Sequence, residues 1–556
     1  MEARNRTLPD WLTRIRTRQI KLPRFQRFEA WTHYTVTALL NTVLRELPAG
    51  AVLILEVGEE EPFISRTVIG APETGERVIE HLLDGQQRLT ALWRSLTDNY
   101  PDRSYFVRLE PDEETGMPYY VTSRARWMKD GSKYPLKLND PVELWKEKFI
   151  PVSLLRPDAE SEREMTTWAM KAAEGDMNLV LEIIQKVNGL RALFAKFNIP
   201  FLSLPSTTSK ETALNVFIQM NTSATPLSAY DIVVAQVEAG TEMSLHDLVA
   251  DLKATAPNTE SYVRPPDVML SASALLQLKV PTQTNFISKG FSDSLVQNWE
   301  TTKLGISKAI QFIEQERILD AKRLPTDVII APLAALWGIS PQGLDAEGEA
   351  RTILRKYLWR ACFTDRYERT SATRALADFR ELKALLEGNK DARPLIFNED
   401  EWPLPTVEQL ILAGWPTKKD RLPRALMALS LRAGGYDLAD GAPATREHLK
   451  EREYHHLFPV ARLKEQGKTD SEIYRALNCA LVTWKTNRNI SAKTPERYLA
   501  ERREGTSLGE DEVRRRLESH LVPYDELVSS TYEEFLMERA KRMHAMMLKL
   551  CLGESV

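Results

Sequence analysis

Val78-Ile79-Glu80-His81-Leu82-Leu83-Asp84-Gly85-Gln86-Gln87-Arg88-Leu89 reads as a strand, a turn and the opening of a helix in one stretch. Val78 to Leu83 is a short, largely apolar run, the pattern of a buried strand. Asp84-Gly85 breaks it. From Gln87 to Leu96 the apolar residues Leu89, Leu92, Trp93 and Leu96 recur at helical spacing. Glycine at such a junction permits a tight turn and close backbone approach, and Asp84 is placed to cap the new helix with its carboxylate. The first N–H groups of a helix have no internal partners and stand at its positive dipole end, so this turn can seat a phosphate. Arg88 adds a fork suited to phosphate oxygens. Gln86 and Gln87 can donate to phosphates or position a water. A plain helix start with a surface arginine fits the same residues.

A second turn lies upstream. Ile20-Lys21-Leu22-Pro23-Arg24-Phe25-Gln26-Arg27-Phe28-Glu29-Ala30-Trp31 places the Gln26-Arg27 pair after a proline and ahead of a helix. The two Gln-Arg turns could face one phosphate-rich ligand from opposite sides. Val52-Leu53-Ile54-Leu55, Tyr105 to Leu109 and Phe201 to Leu204 read as further strands, and Glu211 to Met220 as a helix. Pro226-Leu227-Ser228 restarts another helix with Ser228 as its N-cap. Beyond residue 240 strand signals fade and helical periodicity dominates, as in Leu354 to Phe363 and Thr373 to Leu386. Gly434-Gly435, Asp440-Gly441 and Pro443 mark a boundary, and a helix from about Thr531 to Leu550 closes the chain. The expected organisation is α+β in three parts: 1–240, an α/β domain with the DGQQR turn; 241–435, a helical middle; and 436–556.

The 556 residues are 43% hydrophobic and 27% charged, an ordinary globular balance, with a net charge of −4. Cys362, Cys479 and Cys551 are far apart and form no CxxC pair, which argues against a zinc knuckle or disulfide framework. No secretory leader follows Met1, and no apolar run approaches the ~18 residues of a membrane span, so a cytoplasmic protein without membrane contact is expected. A nucleic-acid partner would meet local basic patches. One such run is Arg14, Arg16, Arg18, Lys21, Arg24 and Arg27; the other is Lys485, Arg488, Lys493, Arg497, Arg502 and Arg503. Gly467-Lys468-Thr469 imitates the end of a P-loop, but Arg462 stands where its first glycine is required.

Tyr454-His455-His456-Leu457-Phe458-Pro459 is followed by Asn478 and Asn487, a spacing of His456-x21-Asn478-x8-Asn487. An HNH nuclease centre needs a metal ligand, a neighbouring histidine as base, an asparagine that pins the loop, and a second ligand from a following helix. That assigns His455 as metal ligand, His456 as general base, Asn478 as brace and Asn487 as second ligand for Mg2+ or Mn2+. Lys485, Arg488, Lys493 and Arg497 follow at once and suit the phosphates flanking a scissile bond. A surface histidine pair is the bland alternative.

These residues resemble the GmrSD family of modification-dependent (type IV) restriction enzymes and the related SspE phage-defence proteins. Leu22 to Arg27 with Trp31 looks like the family's first motif, and Leu83 to Thr90 matches its DGQQR hallmark. Phe217-Ile218-Gln219-Met220-Asn221 with Thr225 to Ser228 and Asp231 is similar to a third. Arg366-Tyr367 with Ser371 resembles a helical-domain motif. Tyr454 to Pro459, Asn478 and Thr486 to Ile490 look like its HNH domain. The resemblance implies a ParB/sulfiredoxin-like N-terminal domain that binds or hydrolyses an NTP, GTP or ATP, with Gln26, Arg27, Asp84, Gly85, Gln86, Gln87, Arg88 and Asn221 at the nucleotide. It implies a C-terminal ββα-metal nuclease and modified phage DNA as substrate, and it leaves room for a homodimer. The expected function is an NTP-regulated DNA endonuclease or nickase; alternatives are a non-catalytic sensor that recruits another effector, or a DNA-reading DGQQR domain with Arg24 and Arg27 on phosphates. Two departures stand out: Ser223-Ala224 where relatives carry glycine, and Cys479 where an aliphatic residue is usual, a change expected to pack as a small hydrophobe.

Overall fold

The computed structural model describes residues 2–26, 29–113, 115–128, 132, 139–220, 229–240, 243–341, 343–416, 420–438, 440–483, 495–497, 499–500 and 509–556. The chain divides into two compact units, Met1–Leu245 and His246–Val556. Both mix helix with small sheets, and helix predominates, an α+β composition.

The first unit contains strands β1 (Glu2–Thr7), β2 (Ile20–Pro23), β3 (Val52–Glu56), β4 (Ser65–Arg66), β5 (Glu80–Asp84), β6 (Arg103–Arg108), β7 (Tyr120–Ala125), β8 (Phe149–Pro151) and β9 (Asn198–Leu204). Six of them form a sheet in the order β1-β9-β3-β5-β2-β4, and the rest an antiparallel sheet in the order β7-β6-β8. The larger sheet is mixed: β3–β9 and β2–β5 are parallel, and its other pairs antiparallel. The apolar runs foreseen at Val52 to Leu55 and Leu82-Leu83 occupy its centre and are fully buried. Helix Leu8–Arg16 buries Leu8, Trp11, Leu12 and Ile15 at helical spacing. Helix Met177–Lys196 buries Val180, Ile183, Val187, Leu190 and Phe194 into the same core.

Among the described residues of the upstream basic run, Arg14, Arg16 and Lys21 pair with carboxylates. Arg6 grips buried Glu80 through two 2.7 Å hydrogen bonds and Arg14 joins at 3.0 Å. Arg16 pairs with Asp158, and Lys21 with Glu61 at 3.4 Å. Arg6 and Arg14 thereby tie the N-terminal strand and helix to β5.

The second unit is mainly helical. Helices Trp299–Gln315 and Ile330–Ile339 cross so closely that a Cβ on Gly305 would stand 2.1 Å from the Ala334 carbonyl oxygen. Buried Glu316 accepts from Arg355 at 2.8 Å and Trp359 at 3.0 Å, tying helix Leu344–Phe363 to that pair. Arg366 and Tyr367 converge on the fully buried Asp378 of helix Ser371–Leu386. Strands β10 (Arg452–His456) and β11 (Cys479–Thr483) form an antiparallel pair, with His455 opposite Ala480 and His456 opposite Cys479. Helix Tyr532–Leu552, started by a Thr531–Glu534 capping box, is the last element. No helix among the described residues is long and apolar enough to cross a membrane.

Candidate functional site

His455 and His456 end β10, and the chain turns at once into Leu457-Phe458-Pro459. Asn478 fixes that turn. It is fully buried; its Oδ1 accepts from the Phe458 amide at 2.8 Å, while its Nδ2 donates to the carbonyls of Phe458 and Ile473, both at 3.2 Å. Its own carbonyl accepts from the Leu457 amide at 2.9 Å. The residues just after the histidine pair are therefore clamped by one side chain that donates and accepts together.

The last helix backs this turn. Phe458 packs on Tyr532 and Phe535, ring centroids 5.3 and 5.1 Å away. Arg539, also fully buried, donates to the carbonyls of Leu477 at 2.5 Å, Cys479 at 2.9 Å and His520 at 3.0 Å. Burial pulls its pKa down to about 10. Cys479 is buried in the strand, and burial pushes its thiol pKa up.

The His456 imidazole stacks on Trp415 with centroids 4.1 Å apart and planes 21° from parallel. Tyr474 meets it edge-on at 4.9 Å. Burial, reinforced by neighbouring His455, lowers the His456 pKa to about 4. The ring is therefore neutral at pH 7. Its Nε2 is buried and has no hydrogen-bond partner among the described residues. A buried polar nitrogen left bare costs stability unless something fills the place. No cluster of three or more His, Cys, Asp or Glu side chains able to hold a metal occurs among the described residues. The proposed second ligand, Asn487, and the proposed DNA contacts Lys485, Arg488 and Lys493 lie outside the described residues. Arg497 lies within them, exposed, in the helical stretch 495–497.

In the first unit β5 runs into helix Gln86–Leu96 through Gly85 at φ +95°, where a Cβ would meet Val52 Cγ2 at 2.7 Å. Gly85 is the N-cap and, having no side chain, supplies no capping hydrogen bond of its own. The expectation that Asp84 caps it is corrected: Asp84 lies at the end of β5 and its carboxylate faces Arg88 at 3.3 Å. Arg88 also donates to the Ala49 carbonyl at 2.9 Å, and burial lowers its pKa against the pull of Asp84. Gln87 accepts from the Ala30 amide at 2.9 Å. Gln26 is buried and donates to the Leu82 and Leu83 carbonyls, the latter at 3.0 Å, so the two Gln-Arg segments are laced together. Gln86 is buried. Arg27 and Asn221 lie outside the described residues.

Sequence reasoning missed several groups at these sites. On β5, His81 is fully buried and its Nε2 meets Glu61 at 2.9 Å. That hydrogen bond, against burial and with help from Ser65 and Lys21, holds the Glu61 pKa down to about 2. Trp415, Tyr474 and Arg539 surround the histidine turn, and no local spacing links them to it. The Gly467-Lys468-Thr469 imitation is a plain turn, in which Thr469 and Glu472 form a capping box and Lys468 pairs with Glu533.

Comparison with known proteins bears on the first unit. The chain is similar to the uncharacterised protein MJ0686 of Methanocaldococcus jannaschii, 24% identical over 555 residues that cover 91% of this chain and 89% of that protein. Residues 8–238 match the family described as GmrSD restriction endonuclease, N-terminal domain, a range that takes in β2 to β9 and both Gln-Arg segments. Residues 8–238 are thus similar to the N-terminal domain of GmrSD restriction endonucleases.

Proposed function

We propose that this protein is an NTP-regulated, divalent-metal-dependent DNA endonuclease or nickase of a type IV restriction system, acting on modified phage DNA in the cytoplasm. The observation that carries the reading is His456, a neutral imidazole with a buried, bare Nε2 at a strand end whose next turn Asn478 clamps. His456 takes the proton of the attacking water. Asn478 keeps the turn, and with it the ring, in register. His455 and Asn487 would hold Mg2+ or Mn2+, which supplies charge stabilisation at the phosphate and the leaving oxygen. Lys485, Arg488, Lys493 and Arg497 hold flanking phosphates. In the first unit the helix start after Gly85, with Arg88 beside it, supports the seat for an NTP, GTP or ATP. The family match supports the restriction setting and DNA as partner. A ParB/sulfiredoxin-like first domain and a ββα-metal second centre belong to the same proposal.

The test is a cleavage panel of unmodified, methylated, glucosylated and phosphorothioated DNA with Mg2+ or Mn2+, with and without GTP or ATP. Wild type cuts at least one modified substrate, and His456→Ala loses about 10²–10⁴-fold in rate with its circular dichroism unchanged. Undiminished cutting by His456→Ala removes the base assignment. No cutting of any substrate favours a sensor that recruits another effector. Cutting that ignores NTP leaves the DGQQR turn a structural staple.

A further inference from the structure

Trp415 lies outside every motif the sequence displays. It stands between helices Val407–Leu412 and Arg421–Arg432, far upstream of the histidine pair. Its segment is nevertheless bound to the one that precedes Asn478. The Ala476 amide donates to the Ala413 carbonyl at 3.0 Å, and Arg475 donates to the Leu412 carbonyl at 2.7 Å. This lacing brings Trp415 and Tyr474 together, with centroids 5.7 Å apart and planes at 78°. The indole then covers one face of the His456 ring at 4.1 Å, and Tyr474 meets the same ring edge-on at 4.9 Å.

The backbone alone does not orient that ring. β10–β11 pairing fixes the His456 Cα, but the torsion that rotates an imidazole about its Cβ–Cγ bond is broad. A parallel plate at van der Waals distance on one face, with an edge contact beside it, leaves little rotation. Neither aromatic is a core residue: Trp415 is half-buried and Tyr474 is 40% exposed. The covered ring is the one whose Nε2 is bare.

We propose that Trp415, with Tyr474 at the edge, is the positioning residue of the nuclease centre: its indole sets the plane of the His456 imidazole and shields that ring from solvent. The role in catalysis rests on the reading of His456 as base. The stacking itself does not. A base locked in plane presents its lone pair to one place, and misplacing it by an ångström forfeits much of the advantage of orientation.

Two measurements on the full chain separate the ideas. The first is carbethoxylation of His456 by diethyl pyrocarbonate, followed by peptide mass spectrometry. Wild type and Trp415→Phe react slowly, and Trp415→Ala reacts roughly five- to tenfold faster as the plate is lost. Equal rates in wild type and Trp415→Ala overturn the proposal. The second is steady-state cleavage of the substrate found in the panel above. Trp415→Ala lowers kcat about 10- to 100-fold with KM unchanged, and Trp415→Phe restores most of it. A fall in kcat that Trp415→Phe does not recover, or a rise in KM alone, also overturns it. Wild type that never cuts sinks the base reading, while the modification rates still decide the stacking.

Discussion

At the scale of single residues, His520 ties the stability of the second unit to pH. It is fully buried and its Nε2 donates to the Tyr436 carbonyl at 2.6 Å. Burial, with Arg539 and Arg452 nearby and against that hydrogen bond, lowers its pKa to about 4. The folded value lies below the ordinary one of 6.5. The folded state therefore resists the proton, the contribution to stability is complete above pH ~6.5, and it is lost as pH falls toward 4. Each pH unit in that window is worth about 1.4 kcal/mol. His520→Gln keeps a donor for Tyr436 and cannot charge, so urea midpoints measured between pH 7 and 4.5 should fall less steeply in the variant; parallel slopes would refute the assignment. Asn478 makes a different point. Its position was legible from spacing, but the need for an amide became clear only from its partners. Aspartate could accept from the Phe458 amide, yet its second oxygen would face two carbonyls.

At the scale of elements, the junction of β5 with helix Gln86–Leu96 depends on one backbone conformation. Gly85 sits at φ +95° with Val52 Cγ2 2.7 Å from where a Cβ would be. Gly85→Ala combines a left-handed strain with overpacking against a central strand, and should cost about 2–4 kcal/mol. Urea denaturation of the first unit measures it, and a loss under ~1 kcal/mol would mean that the turn relaxes at little cost. This junction was readable because Val78 to Leu83 is apolar and Asp84-Gly85 is a break. β1 was not. Glu2-Ala3-Arg4-Asn5-Arg6-Thr7 lacks apolar alternation because it is an edge strand paired only with β9. Helix Leu8–Arg16 was obscured by its arginines. Its apolar stripe faces the core, while Arg14 and Arg16 reach carboxylates far along the chain. The histidine hairpin was readable because its residues follow one another. Trp415 was not, because its contact with His456 exists only after Leu412-Ala413 and Arg475-Ala476 are laced together.

At the scale of the whole molecule, the histidine hairpin is held from outside the segment that contains it. Leu449 and Leu481 share a buried cluster with Leu319 and Leu431, and Tyr454 packs against it. Arg446 pairs with Glu314 and donates to the Leu319 carbonyl at 3.0 Å, and Arg323 donates to the Leu449 carbonyl at 3.3 Å. Nearly buried Arg452 also donates to the Gly435 carbonyl, so it and Arg446 each have an acceptor upstream of residue 436. A fragment cut at 436, where the turn residues invite a boundary, would keep these buried charges and lose Leu319, Leu431, Glu314 and Trp415 together. Cavities and stranded guanidinium groups of that kind cost several kcal/mol each, against a net stability of about 5–15 kcal/mol for a typical domain. Residues 436–556 alone should therefore melt without a cooperative transition and cut no DNA. A fragment from Met243 to Val556, which spans the compact second unit, should melt cooperatively. Thermal circular dichroism of the two fragments decides it: a sharp transition in the shorter one would show that the helices from 246 to 435 are a separate body that the hairpin does not need.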